Sequence, residues 1–172
     1  MAIAKAVGNL SFKVLPDEMR KRFNGTMTYT GADATEKWVY AKVVVTYQKG
    51  NILAGADAVA DDDYLMSPGT SVGVADKYRF LIMKNTGYTN TNENVTTDKG
   101  VIFVIDDGTP GATATDVIFL APGDTMALKI PNCTVENLHA YTVPIANGVP
   151  TSGTAEGDDV LIEVAAILDD VA

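Results

Sequence analysis

Short apolar stretches rich in β-branched and aromatic residues alternate along most of the chain with clusters of Gly, Asn, Asp and Pro. This spacing is typical of an all-β sandwich or barrel, and no long amphipathic helical pattern competes with it. We therefore predict an all-β fold, an antiparallel β-sandwich with long loops and at most short helical turns. The predicted strands are Leu10–Leu15, Lys37–Tyr47, Lys77–Lys84, Val101–Asp106, Asp116–Ala121, Thr125–Ile130, Leu138–Val143 and Val160–Leu168.

Turn-forming residues between these stretches predict which strands pair. Asx-forming residues and glycines fill 106–111, and Pro122-Gly123 favours a tight turn. We expect the strands on either side of each turn to be antiparallel neighbours. In the strand Thr125–Ile130, alternation predicts that Met126, Leu128 and Ile130 point inward and Lys129 outward.

Three predicted strands have no polar face: 80–83, 101–105 and 117–120. Strands without a polar face are expected to be buried on both faces. In a parallel sheet helices bury them, but the pattern contains no such helices, so something else must cover the second face. A loop of the same chain, an adjoining sheet and a second subunit all remain open. Large exposed apolar patches are penalised in monomers, so oligomerisation is one of these interpretations.

A short helical turn is predicted at Pro16–Phe23, since Pro16 can start it and Asn24-Gly25 can end it. It is either a solvated surface turn or a cationic docking element. Long exposed loops are predicted at Ala54–Gly73, Asn85–Gly100 and Ile145–Asp159. We expect one β-sandwich domain over residues 1–172, with 1–15 as an N-terminal arm.

Composition supports one globular domain and narrows the chemistry. The chain has 172 residues, of which 47% are hydrophobic and 20% charged, and it lacks an apolar run that could span a bilayer. The N-terminus has no signal-peptide-like apolar core, so we expect the protein to remain where it is made. A single cysteine and a single histidine argue against an internal disulfide, zinc fingers and multi-histidine metal sites.

Catalytic residues are not indicated by any motif. His139 lies in a strand-like segment without a nucleophile elbow, and Cys133 has no nearby cationic run to make it a thiolate. Adjacent carboxylates such as Asp61–Asp63 are typical of solvated turns, the alternative being a loop that holds Ca²⁺ without matching the EF-hand spacing. We therefore predict a non-enzymatic protein without a cofactor or metal site.

Aromatic residues at Trp38, Tyr40 and Tyr47 are predicted to alternate along one strand. Packing in the core or in an interface is the first interpretation of this pattern. A platform on which a sugar ring stacks is the second.

Charge is divided unevenly along the chain, whose net charge is −9. Residues 1–84 hold eleven bases and nine acids, whereas residues 85–172 hold two bases and thirteen acids. The acidic half predicts no binding to nucleic acid or to anionic membranes, and the N-terminal portion becomes the candidate docking surface. Its candidate interface residues are Ile3, Lys5, Phe12, Arg20, Lys21 and Arg22. The alternative for this portion is that Leu10–Leu15 completes the protein's own sheet.

The order of strands and turns over about 77–170 suggests a family. It runs through Phe80-Leu81-Ile82-Met83-Lys84-Asn85-Thr86-Gly87, Val101-Ile102-Phe103-Val104-Ile105-Asp106-Asp107-Gly108, Ile118-Phe119-Leu120-Ala121-Pro122-Gly123-Asp124, Ala127-Leu128-Lys129-Ile130-Pro131-Asn132 and Val160–Asp170. This arrangement resembles head decoration, or cement, proteins of tailed bacteriophages, which have jelly-roll-like β-sandwich domains.

The resemblance implies a structural virion protein that decorates or cements the capsid surface and is assembled in the host cytoplasm. It implies the major capsid protein lattice as the partner and a homo-oligomer, with a trimer as the first expectation. A carbohydrate- or host-binding module of a tail or fibre is the alternative, favoured by the aromatic strand and the polar loops.

Overall fold

A computed structural model describes residues 5–13, 22–30, 36–53, 64–66, 72–89, 92–105, 116–147, 149–151 and 159–169. The ordered segments are short strands with one 3₁₀ turn at Val135–Asn137. The strands are β1 (Lys5–Lys13), β2 (Arg22–Thr30), β3 (Lys37–Val45), β4 (Gly50–Asn51), β5 (Tyr64–Met66), β6 (Lys77–Asn85), β7 (Gly100–Ile105), β8 (Asp116–Leu120), β9 (Thr125–Leu128), β10 (Leu138–Val143), β11 (Ile145–Ala146), β12 (Val149–Pro150) and β13 (Val160–Asp169).

Two antiparallel sheets pack face to face. One has five strands in the order β5-β3-β13-β6-β9, and the other has four in the order β4-β10-β7-β8. The strands β1 and β2 form a separate hairpin, as do β11 and β12. The predicted all-β antiparallel sandwich is confirmed, and seven of the eight predicted strands occur with ends that differ by at most two residues.

The main core lies between the two sheets. The five-stranded sheet supplies buried side chains such as Val39, Tyr78 and Ile162, and the four-stranded sheet supplies Phe103 and Leu138. Burial of apolar side chains from both inner faces is the main force that joins the sheets. The predicted alternation near β9 is also confirmed, because Met126, Leu128 and Ile130 pack against this core while Lys129 is exposed.

Asn85 ties the two sheets together at the end of β6 and is completely buried. Its side-chain amide donates hydrogen bonds of 3.2 Å to the carbonyl oxygens of Lys99 and Leu120, which adjoin β7 and end β8. Its side-chain oxygen accepts a 3.0 Å bond from the backbone N–H of Gly87. A buried amide satisfied in this way fixes where the chain leaves one sheet for the other.

One predicted pairing is wrong. The Pro122-Gly123 turn forms, with the N–H of Asp124 bonded to the carbonyl oxygen of Ala121 at 3.0 Å and Gly123 at a φ of +85°. However, β8 pairs with β7 and β9 pairs with β6, so this turn is a corner between sheets. The other predicted pairing, of β7 with β8, is confirmed.

The N-terminal region also differs from expectation. β1 begins at Lys5, earlier than predicted, and pairs along its whole length with β2, which the sequence analysis missed. Arg22 and Phe23, expected at the end of a helical turn, lie in β2. The rest of that predicted turn lies outside the described residues, as do most of Ala54–Gly73 and the middle of Ile145–Asp159.

The loop from Asn85 to Gly100 is exposed at its tip, over 92–96, and attached at its base. The N–H of Leu161 donates to the carbonyl oxygen of Tyr88 at 2.7 Å, and the N–H of Thr86 donates to that of Leu161 at 3.1 Å. In the part of the chain that the structure describes, no helix is long and apolar enough to cross a bilayer.

The outer face of the four-stranded sheet carries a second apolar cluster, which includes Ile102, Val104, Phe119 and Tyr141. The ring of Phe119 lies directly over Gly100. A Cβ atom at Gly100 would contact this ring, with Cζ at 2.9 Å, and would lie 3.0 Å from Cδ1 of Ile145. Only glycine leaves room for the ring at this point in the strand.

Replacing this glycine should therefore disturb the four-stranded sheet. We expect Gly100→Ala to lower the free energy of unfolding by about 1–3 kcal/mol through overpacking. The matched control is Gly25→Ala in β2, where a Cβ would meet nothing within 4 Å. Urea unfolding should show a lower midpoint for the first variant only, and equal midpoints would contradict the packing of Phe119 on Gly100.

Candidate functional site

The outer face of the five-stranded sheet, which points away from the main core, gathers the exposed aromatic and charged side chains. Strand register places these residues in three rows across β3, β13 and β6. The rows are Trp38–Ile167–Phe80, Tyr40–Ala165–Ile82 and Lys42–Glu163–Lys84. The face therefore changes from apolar to charged along the direction of the strands.

The β1–β2 hairpin covers part of the apolar end. Ala6, Met27 and Tyr29 of the hairpin pack against a small buried cluster centred on Phe80 and Ile167. Phe80 is 1% exposed and Ile167 is 4% exposed, so burial on this side is nearly as complete as in the main core. The sequence analysis left open what covers the second face of the predicted strand 80–83. At Phe80, this face is covered by the β1–β2 hairpin, a segment of the same chain.

A cleft of about 240 Å³ remains between the hairpin and β3. Lys5 and Ala6 of β1 line one side of the cleft, and Trp38 and Tyr40 line the other. Its floor is apolar, formed mainly by Phe80, Ile82, Ala165 and Ile167. Trp38 remains 45% exposed at the edge. Aromatic walls, an apolar floor and one ammonium group suit binding of a ring or an extended apolar chain.

The charged row borders this cleft. The carboxylate of Glu163 accepts a 2.9 Å hydrogen bond from the hydroxyl of Tyr40 and pairs with Lys84 at 3.1 Å. Lys42 pairs at 2.6 Å with Glu93 from the loop after β6. Burial alone would raise the pKa of Glu163, but the hydrogen bonds from Lys84 and Tyr40 and the nearby lysine charges outweigh it, and the pKa is lowered. Burial and the bond to Glu163 raise the pKa of Tyr40.

A hydrogen bond also joins the hairpin to the start of β3. The hydroxyl of Tyr29 donates to Oε1 of Glu36, which is 7% exposed, and no described residue bonds the other carboxylate oxygen, Oε2. The pKa of Tyr29 is raised to about 12, chiefly by burial and next by the hydrogen bond to Glu36. Close by, Arg79 and Asp169 form an ion pair.

The single cysteine and the single histidine lie away from this face. Cys133 is buried in the main core, and its thiol donates to the carbonyl oxygen of Thr134 at 3.4 Å. His139 lies on β10 in the other sheet. Within the described ranges, no three His, Cys, Asp or Glu side chains come together as metal ligands.

The residues chosen from the sequence fall in different places. Lys5 lines the cleft, while Phe12 and Arg22 lie in the hairpin strands, where only their backbone is described. Ile3, Arg20 and Lys21 lie outside the described residues. The expected row of three aromatics is wrong for Tyr47, because β3 ends at Val45.

Sequence reasoning missed the β2 residues that build this site. Met27 and Tyr29 alternate with three threonines over Thr26–Thr30, a pattern of period two that indicates a half-buried strand. This alternation is the signal in the sequence that indicates β2. The packing partners Phe80 and Ile167 lie far away in the chain, and only the folded sheet brings them beneath the hairpin.

Comparison with known proteins gave no relatives: no family model, curated protein or solved structure matches this chain.

The Tyr29–Glu36 bond should make stability depend on alkaline pH. Because the folded pKa lies above the ordinary value of 10.0, the contribution of Tyr29 is complete below pH 10 and is lost as pH rises towards 12. We expect Tyr29→Phe to be less stable than the wild type at pH 8, by about 1–3 kcal/mol, since it leaves a buried carboxylate oxygen without its donor.

Urea unfolding at several pH values tests this expectation. The stability difference between wild type and Tyr29→Phe should narrow from pH 9 to pH 11, because only the wild type loses this contribution. Tyr141→Phe, on the other sheet, is the control. A difference that stays constant over this range would contradict the shifted titration of Tyr29.

Proposed function

We propose that this protein is a non-enzymatic structural protein of a tailed-phage virion, which decorates or cements the capsid surface through its N-terminal hairpin. The supporting observation is the hairpin itself, a two-stranded ribbon outside the two main sheets. Its inner face is anchored on Phe80 and Ile167, while Val7 and Asn9 point outward, with Val7 57% exposed. A two-stranded ribbon that is anchored on one face and lies outside the main sheets suits attachment to another protein by strand addition.

Charge distribution also supports this proposal. Lys13 of β1 pairs in register with Arg22 of β2, and residues 14–21, which include Arg20 and Lys21, connect the two strands at that end. Lys13 and Arg22 thus meet at one end of the hairpin, and residues 14–21 carry Arg20 and Lys21 together with Asp17 and Glu18, in a chain whose second half is strongly acidic. Such an arrangement would direct the hairpin towards an acidic capsid surface and the acidic half outward. A jelly-roll arrangement and a trimeric assembly belong to the same proposal.

Charge reversal at the hairpin end tests the docking surface. We expect the double variant Arg20→Glu, Lys21→Glu to bind undecorated heads of the encoding phage about tenfold more weakly, a loss of about 1.4 kcal/mol. The matched control is Lys49→Glu, Lys129→Glu, which changes two exposed lysines outside the hairpin and gives the same net charge. Co-sedimentation at low and high salt measures both variants.

Binding that falls equally in both double variants would indicate a general effect of net charge and would contradict docking through the hairpin. Unchanged binding of both double variants would also contradict docking through the hairpin. Added salt should weaken binding of the wild type and have less effect on the Arg20→Glu, Lys21→Glu protein.

The cleft beside Trp38 favours a second candidate, a carbohydrate- or host-binding module. Its specific support is that Trp38 is 45% exposed and lines an apolar cleft together with Tyr40, as a sugar-stacking site would require. On a glycan array, a signal that is lost in Trp38→Ala and kept in Val44→Ala would favour this candidate. Val44 is a suitable control because it lies on β3 and is also exposed, at 39%, but does not line the cleft.

A further inference from the structure

A lysine and an aspartate are enclosed together at one end of the sandwich. Lys37 is the first residue of β3 and is 3% exposed, and Asp76, just before β6, is 1% exposed. The ammonium nitrogen Nζ of Lys37 lies 2.7 Å from Oδ2 of Asp76. Neither residue belongs to the outer face described above, and the proposed virion function does not use them.

Backbone hydrogen bonds hold the aspartate in position. The N–H of Gly73 donates to Oδ2 of Asp76 at 2.7 Å, and the N–H of Asp76 donates back to the carbonyl oxygen of Gly73 at 3.2 Å. The N–H of Val135 donates to the carbonyl oxygen of Asp76 at 2.8 Å. The carboxylate is thus fixed on a short turn that the 3₁₀ segment supports.

The lysine is fixed from the other side. Lys37 pairs in register with Leu168 of β13, and both residues are buried at the same end of the sheet. Lys37 belongs to β3 and Asp76 directly precedes β6, and these two strands lie on opposite sides of β13. Because β13 pairs with both strands, it holds the two side chains close together. The ammonium and carboxylate groups are therefore in contact in the folded protein.

We propose that Lys37 and Asp76 condense to an amide, an intramolecular isopeptide bond between the side chains that flank β13. Two features of the pair favour the reaction. Contact between fixed groups gives effective molarities of about 10⁵–10⁸ M in well-oriented intramolecular reactions. The amide that replaces the buried ammonium and carboxylate groups is neutral, so neither charge remains buried.

The condensation balances without any added reagent. One proton moves from Nζ to Oδ2 along the 2.7 Å contact, which leaves a neutral amine. The lone pair of Nζ attacks Cγ of Asp76, and a second proton passes from Nζ to the Oδ2 hydroxyl. The Cγ–Oδ2 bond then breaks, water leaves, and Cγ=Oδ1 becomes the amide carbonyl. The N–H of Gly73 lies 2.7 Å from Oδ2, so this hydrogen bond holds the carboxyl group in position while Nζ attacks Cγ.

The mass of the intact protein tests the proposal directly. Denatured wild-type protein should be lighter than the sequence mass by one water molecule, about 18 Da. Tryptic digestion should give a branched peptide that joins the segments around Lys37 and Asp76, and trypsin should not cleave after Lys37. An unmodified mass, or separate linear peptides for the two segments, would overturn the proposal.

Two variants distinguish the water lost in forming this isopeptide bond from water lost in another reaction. Lys37→Arg keeps a positive charge but should have its full sequence mass; if it also loses water, a succinimide at Asp107-Gly108 is the better explanation and the proposal fails. Asp76→Asn should release ammonia instead of water and yield the same final mass as cross-linked wild type. Should Lys37→Arg fail to fold, the branched wild-type peptide alone still decides the matter.

Discussion

The architecture depends on one strand, β13, whose side chains are mostly apolar on both faces. β13 is buried along nearly its whole length, with Val164 and Leu168 on the inner face and Leu161 and Ile167 on the outer face. An antiparallel sheet usually buries one face and leaves the other to water, so this strand needs two covers. The four-stranded sheet supplies the inner cover, and the β1–β2 hairpin supplies part of the outer one. The hairpin is therefore a part of the hydrophobic structure as well as a candidate attachment element.

The same constraint explains what the sequence could and could not predict. Strand positions were readable because each strand is a short run of β-formers between turn residues, and β10 was predicted with its observed ends. Pairing was less readable, because a turn such as Pro122-Gly123 is compatible with both a hairpin and a corner between sheets. What decides between them is long-range: the cross-strand pairing of β9 with β6 and the bridge that Asn85 makes between β6, β7 and β8.

The candidate site was less predictable than the fold. Lys5 and Trp38 were recognisable as unusual residues, but the cleft that they share exists only because the hairpin docks on Phe80 and Ile167. Glu163 lies more than a hundred positions from Lys42, and only the β3–β13 register makes them neighbours. Composition and spacing carry no information about such a register, since it is set by which faces of distant strands must be buried.

Polar pairs at one end of the five-stranded sheet help to specify that register. Glu36 and Lys37 are adjacent, so their side chains point to opposite faces: Glu36 accepts a bond from Tyr29 of the hairpin, and Lys37 pairs with Asp76. A shift of one residue in the pairing of β3 would exchange the two, placing a carboxylate against Asp76 and an ammonium group against the hairpin. Buried ion pairs add little net stability compared with apolar packing, but a misplaced buried charge is strongly destabilising. These pairs thus exclude the wrong register while the sheet assembles, and the correct register sets the rows of side chains on the outer face of the sheet.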